Sequence, residues 1–141
     1  MARRMALAGC NSIVLDLDYG FDILNPAHFD ALIWFCEHRK VLGVGIAHPC
    51  ESFSKARRAP AWSKMPHQLR SREFVMGLAS LEGKDLAACE LGNNNLAATM
   101  KLIRTLRRLH IPFFVESPRG SYLWETPALK RLLQSPDMTQ V

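Results

Sequence analysis

Long hydrophobic runs are missing from this sequence. No apolar stretch approaches the roughly 20 residues that cross a bilayer, and the apolar part of Met-Ala-Arg-Arg-Met-Ala-Leu-Ala-Gly-Cys is too short for a signal peptide. Cysteine pairs are lacking: Cys10, Cys36, Cys50 and Cys89 are widely spaced and contain no Cys-x-x-Cys pair. That spacing argues against a zinc knuckle or a disulfide framework and for reduced thiols in an intracellular protein. His28, His38, His48, His67 and His110 show no His-x-x-x-His spacing, so no metal site is expected. Internal repeats and low-complexity tracts are lacking too. Acid is missing locally: from Ser52 to Arg72 there is no Asp or Glu but six Lys/Arg, namely Lys55, Arg57, Arg58, Lys64, Arg70 and Arg72.

What remains is a single domain of ordinary composition. Its 141 residues are 48% hydrophobic and 22% charged, with a formal charge of +5, enough for a real core. The acid-free stretch reads as a surface for polyanions, since clustered cations neutralise phosphates. A solvated basic loop is the competing reading.

Taken in order, Ser12 to Asp18 (Ser-Ile-Val-Leu-Asp-Leu-Asp) reads as a strand ending in acids. Asn25-Pro26 starts a helix, Asn as N-cap and Pro at the first helical position, running to about Arg39. Phe29, Leu32, Ile33 and Cys36 form its buried face, and Trp34 is expected in the core. Val41 to Ala47 is a second strand, whose two glycines imply a close approach to its backbone. Strand, helix, strand at this spacing predicts a βαβ unit with parallel strands. Residues 51 to about 83 form a long basic loop with one short helix at Arg72 to Leu81, the kind of segment that acts as a lid or binding loop. Asp85 to His110 is helical, with an interruption expected at Gly92-Asn93-Asn94-Asn95. In the second half of that helix Leu96, Met100, Ile103 and Leu106 line one face and Lys101, Arg104, Arg107 and Arg108 another, solvated one. Ile111 to Glu116 is a buried strand, Gly120 to Trp124 a turn, and Ala128 to Gln134 a last helix. The class is α/β with a mostly parallel, Rossmann-like sheet flanked by helices.

Two strand ends carry the chemistry. Pro49 cannot donate to a sheet ladder, so pairing stops there and Cys50 is left at the carboxyl end of a strand, where open α/β sheets bind ligands. Glu116 ends the later strand on the same edge. A thiol beside a carboxylic acid suits covalent attack on an electrophilic ring or carbonyl. Burial as a small hydrophobe is the alternative for Cys50, and a surface or salt-bridged role the alternative for Glu116. His48 is placed to tune the neighbouring thiol.

Pro49-Cys50-Glu51-Ser52-Phe53-Ser54 resembles the nucleophile loop of the DNA cytosine-5 methyltransferases, Gly-Pro-Pro-Cys-x-x-Phe-Ser. Asn93-Asn94-Asn95-Leu96 and Val115-Glu116-Ser117-Pro118 resemble, in order, that family's next block and its Glu-Asn-Val strand end. The match spans about half the chain, from Val41 to Pro118. It implies that the Cys50 thiolate adds to C6 of a flipped-out cytosine while protonated Glu116 holds N3, before a methyl group passes from S-adenosylmethionine to C5. Cations such as Lys55, Arg57 and Arg58 would lower the thiol pKa, and Phe113, Phe114 and Trp124 would raise that of Glu116 by desolvation. The resemblance further implies that Ser54, Lys55, Arg57, Arg58, Arg70 and Arg72 contact nucleic acid, namely DNA with one base flipped out. Asp16 or Asp18 would hold the cofactor ribose and Asp22 its adenine amine, with Pro49 beside them.

The family's pattern is incomplete here. No Phe-x-Gly-x-Gly precedes Ser12, the first Pro of Pro-Pro-Cys is His48, Glu-Asn-Val is Glu-Ser-Pro, and no target-recognition half follows. The expectation is therefore a methyltransferase-type core without its amino-terminal strand, its cofactor or target site completed by a second chain. Two further functions stay open: a catalytically inactive remnant that binds nucleic acid, and a basic α/β interaction module.

Overall fold

The computed structural model describes residues 11–57, 64 and 66–139. In chain order its elements are α1 (Pro26–His38), β1 (Val44–Ala47), α2 (Gly83–Arg108), β2 (Phe113–Glu116) and α3 (Pro127–Leu133), with 3-10 turns at Leu17–Tyr19 and Tyr122–Glu125. The architecture is mixed α/β, with three helices and a two-stranded parallel sheet among the described residues. Among those residues, no helix is long and apolar enough to cross a membrane.

α1 begins where its caps dictate. The Asn25 side chain accepts from Ala27 N–H and Pro26 occupies the first helical position, satisfying one orphan donor and removing another. Phe29 and Cys36 are buried on its inner face, with Leu32 and Ile33 partly buried against the core. Trp34 is not core. It is 51% exposed, stacked on His38 and under Arg39.

The βαβ unit exists, but around a different helix from the one expected. β1 pairs in parallel with β2, Val44 opposite Phe113 and Ala47 opposite Glu116, and α2 is the crossover between them. The expected first strand, Ser12 to Asp18, does not form. Residues 11–16 are irregular, and Ile13, Val14, Leu15 and Leu17 are exposed. No strand among the described residues takes up their backbone groups, and an apolar run becomes a strand only where a partner strand exists.

On the sheet's inner face Ile46 is buried, with Val44, Phe113 and Val115 packed against the core. On the outer face the Phe114 ring lies over Gly45, so close that a Cβ there would stand 2.5 Å from Cζ. That is the close approach the glycine implied.

α2 is one uninterrupted helix of 26 residues. The interruption expected at Gly92 to Asn95 is absent because tertiary contacts outweigh weak local propensity: Gly92 and Leu96 are buried, and Asn93 is bonded outward to Arg70 and to the Met76 carbonyl. The helix ends by chain reversal. His110 takes φ +56°, and Ile111 N–H returns to Leu106 O at 2.9 Å, a Schellman-type stop. Leu96, Leu102, Ile103 and Leu106 join Phe29, Phe53, Ile111, Leu123, Leu129 and Leu132 in one core.

The helix expected at 72–81 is absent as well. That stretch is a series of turns, closed by Gly77 N–H to Phe74 O and Leu78 N–H to Leu69 O. Gly77 sits at φ +132° against the Cys89 sulfur, a backbone state closed to most side chains.

Candidate functional site

Because β1 and β2 run in parallel and in register, the turn after Ala47 and the turn after Glu116 leave the sheet side by side. His48 N–H still reaches the Glu116 carbonyl at 3.4 Å, and then Pro49 ends the ladder. Residues 51–53 form a turn closed by Phe53 N–H on the Cys50 carbonyl at 3.0 Å. Cys50 is half-buried, a free thiol, and lines a cavity of about 180 Å³ with Ser54, Lys55, Ala56, Pro118, Gly120 and Ser121. That volume lies below the roughly 300 Å³ at which pockets for drug-sized ligands begin. It is a small, half-open depression.

Glu116 does not share this cavity. Its backbone sits on the same sheet edge as Cys50, but its side chain is exposed, alternating along the strand with half-buried neighbours. The desolvated carboxyl expected among Phe113, Phe114 and Trp124 is therefore not found. Trp124 is half-buried, and its Nε1–H donates to Pro118 O at 3.0 Å.

His48 faces the core. It is 5% exposed and meets the Phe53 ring edge-on at 5.4 Å. Nδ1 lies 2.9 Å from the Pro49 carbonyl; a carbonyl only accepts, so Nδ1 carries the proton and Nε2 a lone pair. Among the described residues that buried Nε2 has no hydrogen-bond partner, nor has the Ser117 hydroxyl oxygen on the adjoining strand end. Burial pushes the His48 pKa below 6.5; the Pro49 carbonyl opposes the shift and the Arg70 cation adds to it.

Arg70 corrects the sequence reading most directly. It is 1% exposed and cannot face a phosphate. All five of its N–H donors are satisfied inside the protein: Nε on Ser52 O (3.0 Å), Nη1 on Val75 O (2.7 Å) and Asn93 Oδ1 (2.8 Å), Nη2 on Ser52 Oγ (3.1 Å) and Cys89 O (3.0 Å). The guanidinium also stacks 3.7 Å from the Phe53 ring centroid. No carboxylate is among these partners, and desolvation lowers its pKa. Burial likewise pushes the Cys89 thiol up, Arg70 opposing; Cys89 Sγ donates to Met76 O at 3.3 Å.

The other basic residues are partly neutralised by acids distant in sequence. Lys55 meets Glu125 at 2.6 Å, and Arg72, 81% exposed, stands 3.8 Å from the same oxygen. The Lys55 hydrogen bond, first among several cations, holds the Glu125 carboxyl below the usual range. Arg57 donates to His67 O at 2.9 Å and lies 3.7 Å from Asp85, which also takes His67 Nδ1 at 2.5 Å. Ser54 lines the cavity, and its Oγ accepts from Ala56 N–H. Arg58 lies outside the described residues.

The acids assigned to S-adenosylmethionine do not fit that role. Asp16 and Asp18 are exposed around a 3-10 turn, where Asp16 Oδ1 accepts from Asp18 N–H, and the strand whose end they were to mark is absent. Asp22 is engaged locally: Oδ1 accepts from Leu24 N–H at 2.8 Å, and its N–H donates to His28 Nδ1. Pro49 is exposed at the turn. Among the described residues, no group of three His, Cys, Asp or Glu side chains is arranged to hold a metal.

Sequence reasoning missed Ser52, Cys89, Gly92 and Asn93 as parts of the site. The signal available was Gly92-Asn93 inside an otherwise strong helical pattern, which marks a close approach as readily as a break. Comparison with protein-family models, with curated proteins and with solved structures returns no match.

Proposed function

We propose that this chain is a cytosine-5 methyltransferase-like domain in which Cys50 attacks a flipped-out cytosine of DNA, and that the strands β1 and β2 belong to a Rossmann-like sheet. The observation that carries this reading is the parallel register of Ala47 with Glu116. It brings the Pro-Cys turn and the Glu-Ser-Pro turn to one sheet edge, joined by an Asn-bearing helix in the order the resemblance requires. The reading is supported further by the half-buried Cys50 thiol, which lines a small cavity.

The chemistry assigned to this chain's own residues is the addition step. Cys50 gives its proton to solvent and its thiolate bonds to C6; the C5–C6 π pair shifts to C4–C5, the C4–N3 π pair moves onto N3, and N3 takes up a proton that Glu116 relays from solvent. C5 then takes a proton from solvent. Loss of the original C5 proton, expulsion of the thiolate and return of the N3 proton restore the aromatic ring. Glu116 must swing inward over the cavity for this. Methyl transfer from S-adenosylmethionine remains an inference from the resemblance, since Asp16, Asp18 and Asp22 do not fit the cofactor. A second chain is the proposed source of that site.

Deuterium uptake at cytosine C5 in an oligonucleotide, followed by mass spectrometry, tests this without a methyl donor. Uptake by the intact chain and its loss in Cys50→Ala are expected; equal labelling by Cys50→Ala overturns the reading. The exposure of Glu116 favours one alternative, an inactive form that binds nucleic acid. Salt-dependent binding without uptake selects it, and no binding at low salt leaves an interaction module.

A further inference from the structure

We infer that Arg70 is a positioning residue for Cys50, holding the nucleophile turn in place from behind rather than gripping a nucleic acid. This rests on the proposed function for its catalytic arm, though not for its structural one.

The argument begins with cost. A buried guanidinium without a carboxylate partner is expensive unless every donor is satisfied, and here all five are, on three separate segments. Two of the five bonds go to one residue, Ser52, through its carbonyl and its hydroxyl. Ser52 is two positions from Cys50, inside the turn that Phe53 N–H closes on the Cys50 carbonyl. The guanidinium plane stacks on Phe53, the next residue. From the other side the Phe53 carbonyl accepts from Tyr122 N–H at 2.9 Å and from the Ser121 hydroxyl. The turn is thus clamped between Arg70 and the loop that follows β2. The remaining donors anchor the clamp to α2, at Cys89 O and Asn93 Oδ1, and to Val75 O.

Gly92 belongs to the same device. It is buried in α2, and a Cβ there would collide with the Ser52 hydroxyl and stand 2.9 Å from Arg70 Nη2. The helix, the arginine and the nucleophile turn are therefore in contact through one glycine. A fork of five fixed donors fits these acceptors; a lysine, with three donors on one atom, cannot reach them together. Reactive side chains must be held to a fraction of an ångström by such supporting contacts.

The test uses the full chain and its Arg70→Lys variant, with an oligonucleotide as probe. Three readouts are taken: C5 deuterium uptake, the salt dependence of oligonucleotide binding, and peptide-resolved alkylation of Cys50 by iodoacetamide. For Arg70→Lys the expected result is a fall in kcat of about tenfold or more, the scale of a misplaced nucleophile. The KM and the salt slope stay as in the parent, and Cys50 alkylation rises several-fold as the turn loosens. A salt slope shallower by about 0.9, the signature of one lost phosphate contact, overturns the proposal. So does alkylation and kcat both within twofold of the parent. If Arg70→Lys does not fold, Ser52→Ala and Asn93→Ala each remove one acceptor and are read the same way. If the parent shows no C5 uptake, the proposed function fails, and Cys50 alkylation alone decides the positioning role: raised in Ser52→Ala with unchanged circular dichroism, it stands, and unraised, it falls.

Discussion

At the scale of single residues, Gly92 and His48 each set two effects against one another. Gly92→Ala gains helix propensity, at most about 1 kcal/mol in a helix interior. Against it stands a methyl group placed on the Ser52 hydroxyl and near Arg70 Nη2, and overpacking a tight contact costs about 1–3 kcal/mol. The steric cost wins, so Gly92→Ala is expected to lower the urea midpoint; a raised midpoint would mean that the contact relaxes freely. His48 makes a prediction about acid. Its folded pKa is depressed below 6.5 by burial, so below pH 6.5 the unfolded chain binds a proton that the folded chain refuses. Stability is therefore full above that pH and falls as pH drops through the folded value. Urea unfolding from pH 7.5 to 5.0 should show this loss, and His48→Phe should flatten it. Glu125 adds its own loss with the same sign, because its carboxyl is held below the ordinary 4.5, but in a lower window, so the two are separable.

At the scale of elements, the sequence is legible wherever local chemistry decides. Asn25-Pro26 starts α1 where capping rules put it, and Asn25→Ala is expected to cost about 1 kcal/mol, read as a lower midpoint at unchanged m-value. β1 and β2 are legible as short apolar runs bounded by Gly and Pro. The failures share a cause: the deciding partner lies far away in sequence. Ser12 to Asp18 has a strand's composition, yet no strand among the described residues pairs with it, and Ile13 and Leu17 stand in solvent. Gly92 to Asn95 look like a break when read locally, but Asn93 is occupied with Arg70 and Met76 and α2 continues. Arg70 looks like one more surface cation because charge along a sequence carries no information about burial. Cys50 stands just past the end of β1, since Pro49 fixes where pairing ends. Whether Glu116 faces the same cavity depends on side-chain direction, and strand order alone does not set that.

At the scale of the whole molecule, the question is how much of the +5 charge is available to a polyanion. In sequence the segment from Ser52 to Arg72 carries only cations, but folding brings Asp85 and Glu125 against it. Glu125 is the more consequential, because one carboxylate oxygen lies 2.6 Å from Lys55 and 3.8 Å from Arg72, beside the cavity that Cys50 lines. These groups are roughly a quarter exposed or more, so the pairs themselves contribute little stability. Their larger effect is on the local field. If DNA approaches this edge, as proposed, Glu125→Gln removes a repelling charge that stands beside Lys55 and Arg72. Binding of an oligonucleotide, followed by anisotropy across a sodium chloride series, should tighten several-fold at low salt. The slope of log K against log salt should steepen by about 0.9 for each additional phosphate neutralised, and the tightening should fade as the Debye length falls from about 10 Å at 0.1 M to about 3 Å at 1 M. Arg72→Ala should move the slope the opposite way. If neither substitution alters affinity or slope, the nucleic acid does not dock at this edge, and the cavity at Cys50 must be approached from another side.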